Sequence, residues 1–194
     1  MPVLSLTDLV DLVSKAGTPK ATKVREIKNR DAYQPATDYY KRFRDGVVEI
    51  HSEGEGKDSL QNILAALPPH KIENYSEVVE GYRKWWGRKE LEWFDPPRDF
   101  YNYNDFSVSV NPELGLFING EPHVVKLYLK ADPLSKLRVD VVGSLMGITL
   151  ADHADVKFGI LDVRNSKLFV SAASIGMPLI DAELAYVESL WPHV

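Results

Sequence analysis

Apolar positions along the chain follow two periods. Leu4, Leu6, Leu9, Val10, Leu12 and Val13 recur in steps of three and four, which predicts an amphipathic helix capped by Ser5 or Thr7 and ending near Gly17. Residues 18–35 are polar and basic, with Val24 and Ile27 as their apolar anchors, and read as a hydrated connection. Helical spacing returns at Tyr39, Tyr40, Phe43, Val47 and Ile50, so residues 36–51 read as a helix in spite of Gly46. Leu60, Ile63, Leu64 and Leu67 predict a short helix stopped by Pro68-Pro69. Asn74, with Glu77 three residues on, has the form of a capping box for a longer, aromatic helix carrying Tyr75, Val78, Val79, Tyr82, Trp85 and Trp86. The stretch 90–104, rich in rings and broken by Pro96-Pro97, reads as an irregular connection wrapped over the core.

Beyond it the period changes to two. Phe106, Val108 and Val110 alternate with Ser107 and Ser109 as in a half-buried strand, and Asn111-Pro112 breaks the run. Residues 114–118 and 123–129 flank Asn119-Gly120, a dipeptide suited to a two-residue hairpin because both positions take positive φ. Three antiparallel strands in a meander are therefore expected. Alternation in the third puts His123, Val125, Leu127 and Leu129 on one face and Val124, Lys126, Tyr128 and Lys130 on the other. Asp132-Pro133 reads as a helix start, followed by a buried stripe of Leu134, Leu137, Val141, Leu145 and Ile148. A strand over 156–163, a turn at Arg164-Asn165-Ser166, a partner strand over 167–172 and a helix from Pro178 to Leu190 complete the pattern. The expected fold is α+β: a helical N-terminal part, then a mixed sheet ordered as three-strand meander, helix, two strands and helix. One domain over 1–194 is expected, with 1–70 a mainly helical extension and 75–190 the core.

Composition narrows the chemistry. With 194 residues, 44% hydrophobic and 26% charged, the chain is long enough for a sizeable core. A net charge of -5 argues against coating nucleic acid by bulk charge, while leaving room for a local basic groove. The absence of cysteine excludes disulfides, cysteine-zinc sites and thiol nucleophiles. No window approaches the roughly 20 apolar residues of a membrane span, and residues 1–11 lack a basic start and long apolar run, so a cytoplasmic protein is expected.

Several local patterns suggest chemistry. Residues 82–89 interleave bases with rings, which offers Arg83, Lys84, Trp86 and Arg88 to single-stranded nucleic acid. The same helical spacing equally places Tyr82, Trp85 and Trp86 in a core. Lys126 and Lys130, flanking Tyr128 on one strand face, read as a phosphate-facing pair, and Asp162 with Arg164 as an ion pair. Asp152-His153-Ala154-Asp155 reads as a turn cap before a strand. The five histidines show no ligand spacing; Gly54-Glu55-Gly56-Lys57 lacks the spacing of a phosphate loop; and neither a serine elbow nor a dinucleotide fingerprint is present.

The order of helix, meander, helix and strand across 75–172 resembles the core of the PD-(D/E)XK nuclease superfamily. That resemblance implies an acid at the start of the second strand, matched by Glu113 after Pro112, and a lysine in the third, matched by Lys126. It implies a divalent metal, magnesium or manganese, that activates water beside the lysine. Val124 stands where a second acid belongs, and Glu121 lies in the wrong register to replace it. A second metal ligand would have to migrate in from a helix, from Glu77, Glu80 or Asp140. Three expectations follow: a nuclease-like protein without catalysis that binds a protein or nucleic acid, a metal-dependent nuclease with a migrated carboxylate, or an unrelated α+β interaction or immunity-type module.

Overall fold

A computed structural model describes residues 2–31, 38–65, 67–150, 155–171 and 177–194. Helices dominate its first part and strands its second, as expected of an α+β chain. The N-terminal segment forms β1 (Val3–Ser5), α1 (Leu6–Val13), α2 (Gly17–Lys28) and α3 (Lys41–Ser52), followed by a 3-10 turn at Lys57–Ile63 and α4 (Pro69–Trp86). Five strands come next: β2 (Leu91–Phe94), β3 (Asp99–Tyr103), β4 (Phe106–Val110), β5 (Leu114–Ile118) and β6 (Glu121–Tyr128). The chain ends with α5 (Lys136–Thr149), β7 (Lys157–Asp162), β8 (Lys167–Val170), α6 (Met177–Leu190) and a last 3-10 turn at Trp191–His193.

A five-stranded mixed sheet ordered β2-β5-β6-β7-β8 forms the middle layer. Asn119 (φ +50) and Gly120 (φ +85) take the positive φ expected of the hairpin, which fixes the register of β5 on β6 from Ile118↔Glu121 to Leu114↔Val125. Through α5 the chain crosses over, so that β7 lies parallel to β6, with Lys126 opposite Ile160. Alternation then divides two hydrophobic cores. Val125, Leu127, Leu129, Leu161 and Val163 pack with α3 and α4 on one face. Val124 and Ile160 pack with α1, α5 and α6 on the other. The two faces expected for 123–130 therefore stand.

The meander is built from other strands than the pattern suggested. Phe106–Val110 leaves the main sheet and lies at the centre of a second, three-stranded sheet, β1-β4-β3. Its place beside β5 is taken by β2, with Trp93 opposite Leu116. Thus 90–104 is not an irregular connection: it supplies one strand to each sheet. Residues 18–28 are not a hydrated linker either. They form α2, whose Lys20, Val24 and Ile27 are buried, the lysine amino group bonded to Glu183 at 2.6 Å.

One expected helix cap stands and two helix starts move. Ser5 and Asp8 form a reciprocal capping box for α1. α4 begins at Pro69, so Asn74 lies inside the helix and its side chain accepts from Arg164 instead of capping. α5 begins after Ser135, whose hydroxyl accepts the Arg138 N–H at 3.3 Å, and not at Asp132-Pro133; Leu137 in its first turn is exposed. The expected turn cap at 152–154 lies outside the described residues. Close approach of α4 to the end of β7 depends on Gly81: a Cβ there would overlap the Val163 carbonyl oxygen.

Candidate functional site

A cleft of about 650 Å³ opens on the Lys126 face of the sheet, between α1, the C-terminal end of β6 and the start of α5. Each wall follows from local sequence. Strand alternation aims Lys126, Tyr128 and Lys130 at the cleft, while the neighbouring Leu127 turns its side chain into the opposite core. The first turns of α5 bring Leu134, Arg138 and Val142 to the same edge, and α1 adds Leu6, Val10 and Asp11. In open α/β sheets the carboxyl ends of strands are where ligands collect, and this cleft lies at such an end.

Its charges are mostly answered within the chain. Lys126 Nζ lies 2.6 Å from Glu113 Oε1, and the second Glu113 oxygen accepts the Leu127 N–H at 2.8 Å. Both side chains are largely shielded, 16% and 13% exposed, so the pair is stronger than an open surface bridge. Lys130 stands 3.6 Å from Asp11, which also faces Lys23 at 3.4 Å. Arg44 pairs with Asp38. Arg30 clamps both oxygens of Asp8, at 2.5 and 3.2 Å. Burial pushes the Asp8 carboxyl up, yet the hydrogen bonds from Arg30 and Ser5 outweigh it and hold the group below its usual range.

Arg138 differs from these four. Its Nη1 donates to the Tyr128 hydroxyl at 2.8 Å, and that hydroxyl donates to the Asp132 carbonyl at 2.8 Å. Among the described residues no carboxylate pairs with it, although it lines the cleft. Burial raises the Tyr128 hydroxyl pKa, with Arg138 pulling the other way, so the phenol stays protonated and donates.

No known protein family matches the chain, and no curated protein or solved structure matches it either. What the residues can do therefore rests on their own placement. Glu113 and Lys126, far apart in sequence, are brought into contact, and Tyr128 and Lys130 join them along one wall. Lys126 and Lys130 each face a carboxylate of the chain and do not form an open cationic pair.

The proposed helix ligands are scattered. α4 packs on the opposite face of the sheet, where Glu77 pairs with Arg164 and Glu80 is exposed; Asp140, half-buried on α5, stands on the Lys126 side. Among the described residues no group of three His, Asp or Glu side chains is placed to hold a metal ion.

Two other expectations are corrected. Trp86 is 9% exposed and its ring stacks 4.5 Å from the imidazole of His51, with Tyr82 and Trp85 buried beside it, so these rings offer no surface for bases. Arg83 faces Asp58 at 3.8 Å, and Lys84 and Arg88 stand exposed without a ring platform. Asp162 does not pair with Arg164. It accepts from the Asn165 N–H and side-chain amide at 3.2 and 2.9 Å, closing the turn. Arg164 instead spans the Leu129 carbonyl, the Tyr40 hydroxyl, Asn74 and Glu77.

Sequence reading missed Arg138, Asp11, Arg30 and Arg44 as cleft residues. One signal pointed to Arg138: it follows closely on the C-terminal end of a strand, in the first turn of the next helix.

Proposed function

We propose that this chain is a binding protein that takes an anionic group of its ligand or partner into the cleft between α1, β6 and α5, and does not cut what it binds. The observation that carries this reading is the state of Glu113. Both of its oxygens are engaged, one by the Lys126 ammonium and one by the Leu127 N–H. A metal would have to compete at each oxygen with a charge-assisted contact stronger than an ordinary hydrogen bond. Val124, two residues before Lys126, is completely buried among apolar neighbours and supplies no ligand. The cleft, by contrast, has a cation without an ion-pair partner among the described residues, and cations outnumber carboxylates along its walls. The excess favours anions locally on a chain whose net charge is -5.

A metal-dependent nuclease is the second reading, favoured by one observation: Glu113 at the start of β5 and Lys126 in β6 meet at the cleft, within a helix, meander, helix and strand order of α4, β2-β5-β6, α5 and β7. It requires Lys126 to release Glu113 and a further carboxylate to join it. Incubation with supercoiled plasmid and single-stranded DNA, in magnesium and in manganese, separates the two. Absence of cleavage in both metals is the expected result. Metal-dependent nicking that disappears in Glu113→Gln would replace the binding reading with the nuclease one.

A further inference from the structure

We propose that the cleft binds a small amphipathic anion, an apolar chain or ring bearing a single carboxylate, with the carboxylate on Arg138 and the apolar body against Leu134, over the buried Val142 and Ile160. This rests on the reading of the cleft as a binding site and adds the class of molecule that fits it.

Charge selects the head group. Arg30, Arg44, Lys126 and Lys130 each face a carboxylate of the chain, so among the described residues an incoming anion finds one cation of the lining, Arg138, without a carboxylate. Arg138 is also held in place. One nitrogen donates to Tyr128, itself anchored on the Asp132 carbonyl, and this leaves the remaining N–H groups of the guanidinium for a planar acceptor. A guanidinium fork matches the two oxygens of a carboxylate. A polyanion fits less well, because Asp8, Asp11, Asp38 and Glu113 already engage the other cations of the cleft and a second anionic group would have to displace one of them.

The walls select the body. Half-buried Leu134 stands over a floor of buried Leu6, Val10, Val142 and Ile160, so the cleft surface is more apolar than polar. A volume of about 650 Å³ lies inside the range of roughly 300–1,000 Å³ usual for small-molecule sites. A bare ion such as acetate or inorganic phosphate would leave that lining wet, whereas an alkyl chain or ring removes it from water and gains affinity in proportion to the area covered.

Isothermal titration of the full chain with sodium decanoate below its micellar range tests the idea, with acetate, inorganic phosphate and a short single-stranded deoxyoligonucleotide as comparison probes. One decanoate is expected to bind per chain, at least about tenfold tighter than acetate, and Arg138→Gln is expected to weaken it by about tenfold. Leu134→Asn, which alters the lining and leaves the guanidinium in place, should also weaken decanoate. Circular dichroism and a thermal melt establish that each variant is folded.

Decanoate binding no tighter than acetate, or undiminished in both variants, overturns the proposal. Preference for phosphate or for the oligonucleotide also overturns it, while leaving the cleft a binding site. Metal-dependent cutting of the oligonucleotide strikes instead at the reading beneath it.

Discussion

Nε2 of His51 lies 2.8 Å from the hydroxyl of Tyr82, and both groups are sealed in the core between α3 and α4. Burial lowers the His51 pKa from 6.5 to about 4 and pushes the Tyr82 hydroxyl well above its ordinary value, so both are neutral at pH 7. Unfolded chain takes up a proton on this histidine near pH 6.5, and native chain does so only near pH 4. Stability is therefore lost as pH falls from about 6.5 to about 4, by about 3 kcal/mol in all. Urea denaturation at a series of pH values reads this slope, and His51→Gln should flatten it. A second loss is expected at lower pH, below 3.8, where the depressed Asp8 carboxyl takes up its proton and releases Arg30. A wild-type profile that stays level between pH 6.5 and 4 would show that the imidazole titrates freely.

The Glu113–Lys126 pair should show strong energetic coupling. Lys126→Met leaves one oxygen of a largely shielded carboxylate without its ammonium partner and is expected to lose about 1–3 kcal/mol. The double variant Glu113→Leu with Lys126→Met should lose less than the sum of the single changes, because it leaves no shielded charge alone, whereas each single change does. A double-mutant cycle from denaturant melts gives the coupling. A value near zero would mean that the two side chains behave as an open surface pair.

Gly81 and Gly56 make different predictions from the same substitution. Glycine to alanine inside a helix ordinarily stabilises by about 1 kcal/mol. At Gly81 the added Cβ would overlap the Val163 carbonyl oxygen and force α4 away from β7, so a loss of about 3 kcal/mol or more is expected. At Gly56, with φ -81 and no heavy atom within 4 Å of the added carbon, the change should stay within about 0.5 kcal/mol of wild type. Thermal melts of the two variants compare them directly. Equal stability would place α4 further from the sheet than the structure does.

Arg164 is expected to resist conservative replacement. Its Nε donates to the Leu129 carbonyl at 3.0 Å and its terminal nitrogens reach the Tyr40 hydroxyl, Asn74 and Glu77. Lysine keeps the charge and loses the planar fork, so Arg164→Lys should cost about 2 kcal/mol and come close to Arg164→Ala. Thermal unfolding checks it. A lysine variant that melts like wild type would reduce this contact to charge alone.

The parts of the fold legible in sequence were those whose partners are near neighbours. The Asn119-Gly120 hairpin and the face alternation of β6 came directly from spacing, because turn chemistry and the pleat act within a few residues. α2 escaped notice because Lys20 counts as polar in any binary pattern, although its aliphatic stem is buried and its amino group is met by Glu183. β2 and β3 were hidden because their pairing depends on β5 and β4 and not on alternation of their own. The reassignment of Phe106–Val110 to another sheet has the same cause: its pattern specifies a strand and says nothing of its partner. For the site, Glu113, Lys126, Tyr128 and Lys130 were named from the sequence, the last three sharing one face of a strand by alternation. The rest of the cleft comes from α1, α2's trailing Arg30, α3 and α5, and no local motif joins those segments.

β1 pairs in parallel with β4, Val3 against Ser107, and so ties together stretches of chain roughly a hundred residues apart. Closing a loop of that length costs entropy that no local turn offsets, whereas β5 and β6 meet across two residues. In refolding, the hairpin and its neighbours can assemble early, and the three-stranded sheet must wait for the chain's distant halves to find each other. Slow recovery of protection at the amides of Ser107 and its neighbours would be the kinetic trace of that order.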